Sequence, residues 1–193
     1  MNLSYPAHRF QRISLCLVLL ATTSVAQDVA FDKITLTEEF HSEGIAAGDI
    51  NGDEILDIVS GPFWYQGPEF KKRFRYMQYD PSNSRISADR SLSIKGYSQH
   101  FFTWTDDLDE DGDTDILTVG MPGNAAFWFE NPNNSELKHQ NWVRRNVLND
   151  ISNESPTYID LTGDGKRELV CLHQGNYVYI RRQTVKGLVS FSR

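Results

Sequence analysis

Polar and apolar side chains alternate with period two along much of this chain. The runs "GIAAGD", "DIVSG", "PFWYQ" and "RFRYMQY" are rich in aliphatic and aromatic residues and are separated by Gly, Pro and Asn. Such runs predict strands of about 4–8 residues. No window carries a convincing 3.6-residue apolar period over three turns, so helices are not expected. The same order then recurs. "FFTWTD", "DILTVG", "AFWFEN" and "WVRRNVL" make a second set, and "PTYIDL", "ELVCLH" and "YVYIR" a third, with "LVSFS" as a candidate fourth member. Four short antiparallel strands in about 55 residues is the size of a propeller blade. The expectation is therefore all-β: a partial β-propeller of about three four-stranded antiparallel blades in an open arc, near 40–80, 97–148 and 154–193. A sandwich with inserted loops is the alternative, but it does not explain why one kind of connection recurs between the same two strands.

That connection is acidic. "DINGDEILD" (49–57), "DLDEDGDTD" (107–115) and "DLTGDGKRE" (160–168) carry oxygen-bearing side chains at positions 1, 3, 5 and 9. Like charges repel, so one such stretch reads as a solvated turn, whereas three in register call for something positive between them. Ca²⁺ is a hard cation that takes roughly six to eight oxygens, and a loop offering them at alternate positions can wrap around it. The candidate ligands in the first loop are Asp49, Asn51, Asp53, the carbonyl of Ile55, and Asp57. In the second they are Asp107, Asp109, Asp111, Asp113 (by carbonyl or side chain) and Asp115. In the third they are Asp160, Thr162, Asp164, Lys166 at the carbonyl position, and Glu168; Thr162, Glu168 and the cationic Lys166 weaken this set.

Gly112 and Gly165 supply backbone freedom for the turn, while the first loop has Gly52 earlier and Glu54 at that place. Neither His nor Cys occurs in the loops, which disfavours zinc. EF-hand and dockerin loops need a ligand at position 12 followed by a helix. Here position 12 is Ser60, Thr118 or Cys171, each inside an apolar strand run.

Composition adds a compartment. The opening "MNLSYPAHRFQR" has Arg9 and Arg12 and no acid, an apolar "ISLCLVLLA" follows, and "SVA" ends at Ala26. This is the layout of a secretory signal over residues 1–26, too short for a permanent membrane span; an uncleaved anchor is the rival. Losing Arg9 and Arg12 with that segment takes the 19 basic side chains to 17 against 26 acids, a net charge of −9. Such a surface argues against nucleic acid as a partner. Only Cys171 remains, so no internal disulfide holds the exported chain.

D-x-[D/N]-x-D-G-x-x-D-[I/L]-[L/V] between two strands resembles the FG-GAP/VCBS repeat, the blade of integrin-α-type propellers. "FWYQGP", "FWFENP" and "NESPTYIDLTGDGKRELV" are similar to exported VCBS-repeat proteins of environmental bacteria. The resemblance covers roughly residues 40–182. It implies a calcium-stabilised propeller with the metal loop between the first and second strands of each blade, and it implies no activity.

Three units do not close a ring of ordinary size. "FDKITLTEEF" reads as a lone outer strand that would complete a further blade. Two readings stay open: a truncated copy of a longer propeller, or a short chain that associates with itself. At the mouth opposite the acidic loops, His41, Ser42, Glu43, Gln99, His100, Asn153, Glu154 and Ser155 form a candidate polar ring for an extracellular protein or carbohydrate, with solvated loops as the plainer reading. No G-x-S-x-G, HExxH or P-loop motif is present. Cys171 lies mid-strand, where a buried inert thiol is expected. The pairs Phe63–Trp64 and Phe127–Trp128 are expected to pack between blades rather than stack on sugars. The expected function is a non-catalytic exported binding module; the propeller part of a polysaccharide-active enzyme and a remnant without a ligand are the alternatives.

Overall fold

The computed structural model describes residues 29–78, 98, 100–133, 137, 141–185 and 188–192, with side chains up to residue 182. The predicted signal segment 1–26 and Gln99 lie outside the described residues. The chain divides into Met1–Ile34 and Thr35–Arg193. Within the first unit, residues 29–34 form no helix or strand. The twelve strands of the described residues lie in the second.

The first sheet contains β1 (Ile45–Gly48), β2 (Asp57–Ser60), β3 (Phe63–Gln66) and β4 (Lys72–Arg75). The second contains β5 (His100–Asp106), β6 (Asp115–Gly120), β7 (Asn124–Glu130) and β8 (Val143–Ile151). The third contains β9 (Thr157–Ile159), β10 (Glu168–His173), β11 (Asn176–Val185) and β12 (Leu188–Ser192). In each, the strands lie in chain order and pair antiparallel, and no sheet closes on itself. Among the described residues there is no helix. The predicted blades are present as a partial propeller. The segment 31–40, expected as an outer strand, forms none. A strand needs a neighbour to take its backbone groups, and among the described residues 35–40 belong to none of the three sheets.

Period-two alternation sets the packing, because successive side chains of a strand point to opposite faces of its sheet. From β2 and β3, Val59 and Trp64 join Ile116 and Phe129 of the second sheet in one buried cluster. The opposite row of the second sheet, with Leu117, Val119 and Trp128, joins Leu169, Cys171 and Ile180 of the third. Trp64 and Trp128 are thus inter-sheet packing residues, while Phe63 and Phe127 each lie under an arginine, Arg73 and Arg144. Burial pushes the Cys171 thiol up to about 11, as an inert core cysteine requires.

The first strands of neighbouring sheets approach closely at two glycines. A Cβ on Gly44 would fall 2.7 Å from Thr103 Oγ1, and one on Gly48 would fall 2.8 Å from Thr105 Oγ1. Thr105 uses that proximity to donate to the Ala47 carbonyl at 2.7 Å.

Leu169 is fully buried where the second and third sheets meet. Leu169→Ala should cost about 2–5 kcal/mol, the range for a truncated core leucine that leaves a cavity. Urea unfolding would measure it, and a loss below about 1 kcal/mol would contradict the packing described.

Candidate metal loops

Each acidic loop joins the first strand of a sheet to the second, and each is built on one hydrogen-bond template. The position-1 carboxylate folds the loop over itself. Asp49 accepts the amides of Asp53 at 3.1 Å and Glu54 at 2.8 Å. Asp107 accepts those of Asp111 at 3.1 Å and Gly112 at 3.0 Å. Asp160 accepts those of Asp164 at 3.2 Å and Gly165 at 2.9 Å. The position-5 carboxylate then takes the amide two residues on: Asp53 from Ile55, Asp111 from Asp113, and Asp164 from Lys166.

The wandering glycine now has a cause. Positions 4 and 6 are left-handed in all three loops: Gly52 and Glu54, Glu110 and Gly112, Gly163 and Gly165, with φ between 65° and 94°. Only the third loop has glycine at both. The first two each place a glutamate in a conformation that costs roughly 1–2 kcal/mol.

The position-9 acid is the buried one. Asp57, Asp115 and Glu168 are almost wholly out of solvent. Asp57 accepts the Ile50 amide at 3.0 Å and the Gly67 amide at 2.8 Å. Asp115 repeats this with Leu108 at 2.9 Å and Asn131 at 2.7 Å. One carboxylate therefore fastens the start of its own loop to the end of the third strand. Burial raises the Asp57 carboxyl above its ordinary value, and pushes Asp115 up to about 8 against the lowering effect of its two amide donors.

Loop two converges further than the other two. Ligand oxygens of Asp107, Asp109 and Asp115 lie within 4.8 Å of one another, the only such carboxylate group among the described residues. Asp109 Oδ1 is buried with no hydrogen-bond partner. Burial first, and the Asp111 charge second, push Asp109 up to about 6. Asp113 is raised by burial and by Asp111 and Asp107. An unpartnered buried carboxylate oxygen among raised carboxyls is a site short of positive charge. Its all-oxygen donor set fits a hard divalent cation.

In loop one, Asn51 donates from its amide to Asp53 at 2.9 Å and accepts the Asp53 amide at 3.1 Å. Loop three is satisfied from within. Thr162 Oγ1 donates to Glu168 Oε1 at 3.2 Å, the Leu161 amide donates to Oε2 at 2.9 Å, and the Arg181 guanidinium lies 3.9 Å from Glu168. The Lys166 ammonium turns away to pair with Glu110 of loop two, which leaves only its carbonyl for the predicted ligand position.

Residues that the sequence did not single out tie the first two loops to the sheet that follows. Asn131 donates to the Ile50 carbonyl of loop one at 2.9 Å, and Arg182 donates to the Asp107 carbonyl of loop two. Arg167 pairs with Asp106 at 3.1 Å and donates to the Thr105 carbonyl at 2.9 Å. The one sequence signal was that "EN" in "FWFENP" stands where the first unit has "QG" in "FWYQGP".

The predicted polar mouth is not an open ring. His41, Ser42 and His100 are buried. The Asn153 side chain accepts the Leu172 amide at 2.8 Å, which makes it a strand clamp. Glu43, Glu154 and Ser155 remain exposed. His100 sits 3.4 Å from the Tyr76 hydroxyl, which itself donates to the Gly61 carbonyl at 2.7 Å. Burial holds His100 down to about 4, against a raising bond to Gly61. Beside β1 and β5, Glu43, Ile45, Phe101, Trp104 and Arg167 line a groove of about 480 Å³.

Residues 107–171, from the first acid of loop two to the middle of β10, match the model of the FG-GAP-like repeat. No curated protein matches the chain, and no solved structure does.

Two outcomes follow from the geometry. Glu54→Gly relieves a left-handed glutamate and should stabilise the chelator-treated protein by about 1 kcal/mol in urea unfolding; destabilisation would mean that Glu54 makes a compensating contact. His100 has a folded pKa below its unfolded value, so its contribution is complete above pH 6.5 and is lost as pH falls toward 4. Between pH 7 and 5 the stability advantage of the wild type over His100→Asn should shrink by about 2 kcal/mol. A constant difference would mean that the imidazole takes up its proton equally well in the folded and unfolded chain.

Proposed function

For this chain, which carries an FG-GAP-like repeat, we propose the role of an exported, calcium-stabilised, non-catalytic binding module. The observation that carries the metal is the unpartnered, buried Asp109 Oδ1 facing Asp107 and Asp115 in loop two. Asp107, Asp109, Asp111 and Asp115 would hold one Ca²⁺ with the Asp113 carbonyl, and the ion would supply the positive charge that now has to come from protons on raised carboxyls. Loop one is the second candidate. Loop three is the weakest, because Thr162 already occupies Glu168. Calcium at millimolar level is met outside the cytoplasm, which accords with the signal-like opening of the sequence.

Binding is proposed for the groove of Phe101, Trp104, Glu43 and Arg167 rather than for the whole predicted mouth, whose His41, Ser42 and His100 are buried. Aromatic faces beside a carboxylate and a guanidinium suit a glycan or a peptide. A glycan array read with and without Trp104→Ala separates this module from a remnant without a ligand. The propeller part of a polysaccharide-active enzyme is the second reading; no side-chain pair in the described residues favours it.

Calcium bound only by the folded state adds roughly 2.7 kcal/mol per site at a hundredfold excess over Kd. Isothermal titration of the chelator-treated protein should show calcium binding with proton release at pH 7. Asp109→Asn should weaken it at least about tenfold, because a neutral amide replaces a ligand charge. Absence of binding, or an unchanged Asp109→Asn titration, would refute the metal assignment.

A further inference from the structure

The two sheet-to-sheet interfaces are built alike, and this says what fits the face that remains open on the third sheet. Counting from the position-9 acid, residues two and four further along β2 and β6, with their β3 and β7 partners, face the following sheet. In the second sheet these are Leu117 with Trp128 and Val119 with Ala126, all buried against the third. The equivalent pairs of the third sheet are Val170 with Tyr179 and Leu172 with Tyr177. Tyr177 is 87% exposed and Tyr179 43%.

Position 2 of the acidic loop behaves the same way. Ile50 and Leu108 plug the first and second interfaces at 2% and 0% exposure, whereas the equivalent Leu161 is 55% exposed. The face carries the side chains of an interface; the Arg181 guanidinium lies 5.9 Å from the Tyr179 ring, and Tyr177 and Leu161 stand exposed.

The matching half is also present in the chain. Residues one and three beyond the position-9 acid, with their partners, face the preceding sheet. In the second sheet these are Ile116 with Phe129 and Thr118 with Phe127, packed on the first. The first sheet carries Ile58 with Tyr65 and Ser60 with Phe63 at those places, nearly the same set. This row is already covered: Tyr65 is 2% exposed, the Arg73 guanidinium lies over the Phe63 ring, His41 lies 5.0 Å from that ring, and Glu39 pairs with Arg73 at 3.2 Å. A docking partner would have to displace that strap.

We propose that the open face of the third sheet receives the first sheet of a second copy of this chain, head to tail. The contact is heterologous; two copies making it twice would bring six of the described sheets into one ring, a number within the usual size of a propeller.

The test is sedimentation of the full chain in calcium across a wide range of concentration. A reversible monomer–dimer equilibrium is expected. Tyr177→Asp or Leu161→Asp, at positions exposed in a single copy, should weaken it at least about tenfold while leaving the melting transition of the dilute, monomeric chain unchanged. Ser60→Arg should break the other half of the contact. Mixing Ser60→Arg with Tyr177→Asp should restore a one-to-one pair, because each supplies the half the other lacks; a contact between two third sheets would give no rescue. If Ser60→Arg does not fold, the Tyr177 and Leu161 variants decide alone. A monomer at every concentration, or a dimer indifferent to both variants, overturns the proposal and assigns the face to a different occupant.

Discussion

A buried carboxylate at the start of the second strand organises the first and second sheets of this protein. Moving an ionised carboxylate out of water is costly, and the cost is tolerable only where donors surround it. Asp57 and Asp115 each receive two backbone amides, one from the head of the acidic loop and one from the end of the third strand. Three segments distant in sequence are thereby fixed to one side chain. The loop acids at positions 1 and 5 only shape the loop; the acid at position 9 attaches it to the sheet.

The same arrangement leaves an electrostatic demand. Two neutral amides do not compensate a full negative charge, so burial drives Asp115 up to about 8 and Asp109 up to about 6. At neutral pH, positive charge belongs there, either as protons or as a cation. The third loop meets a like demand with Thr162 and the nearby Arg181, and its lysine serves the neighbouring loop instead. Asn131 and Arg182 then grip the loop of the preceding sheet, so the order of each loop is felt by the sheet beside it. Metal affinity and inter-sheet cohesion are expected to be coupled for this reason.

The strands were legible because a sheet buried on alternate residues writes its period directly into the sequence. The order of four strands per unit, and the placing of the tryptophans between sheets, followed from that pattern. The repeated acids were legible as loops for the same reason. Their individual roles were not, since Asp49 and Asp57 are the same residue type at the two ends of one loop. Glycine position misled at Gly52 because two left-handed positions exist and glycine need fill only one of them. His41 and His100 read as mouth polarity, but a histidine facing Phe63 or Tyr76 is a core residue, and only tertiary packing reveals the neighbour. The segment 31–40 alternates well enough for a strand, yet alternation does not supply a partner.

The central claim is that the position-9 carboxylate holds loop and strand together through buried amide bonds, whatever ion is present. Native-state hydrogen exchange of the chelator-treated protein tests it most directly, at the amides of Ile50, Gly67, Leu108 and Asn131. The account predicts protection approaching that of the central strands, because releasing these amides requires opening the sheet. Exchange at the rate of exposed loop amides would contradict it.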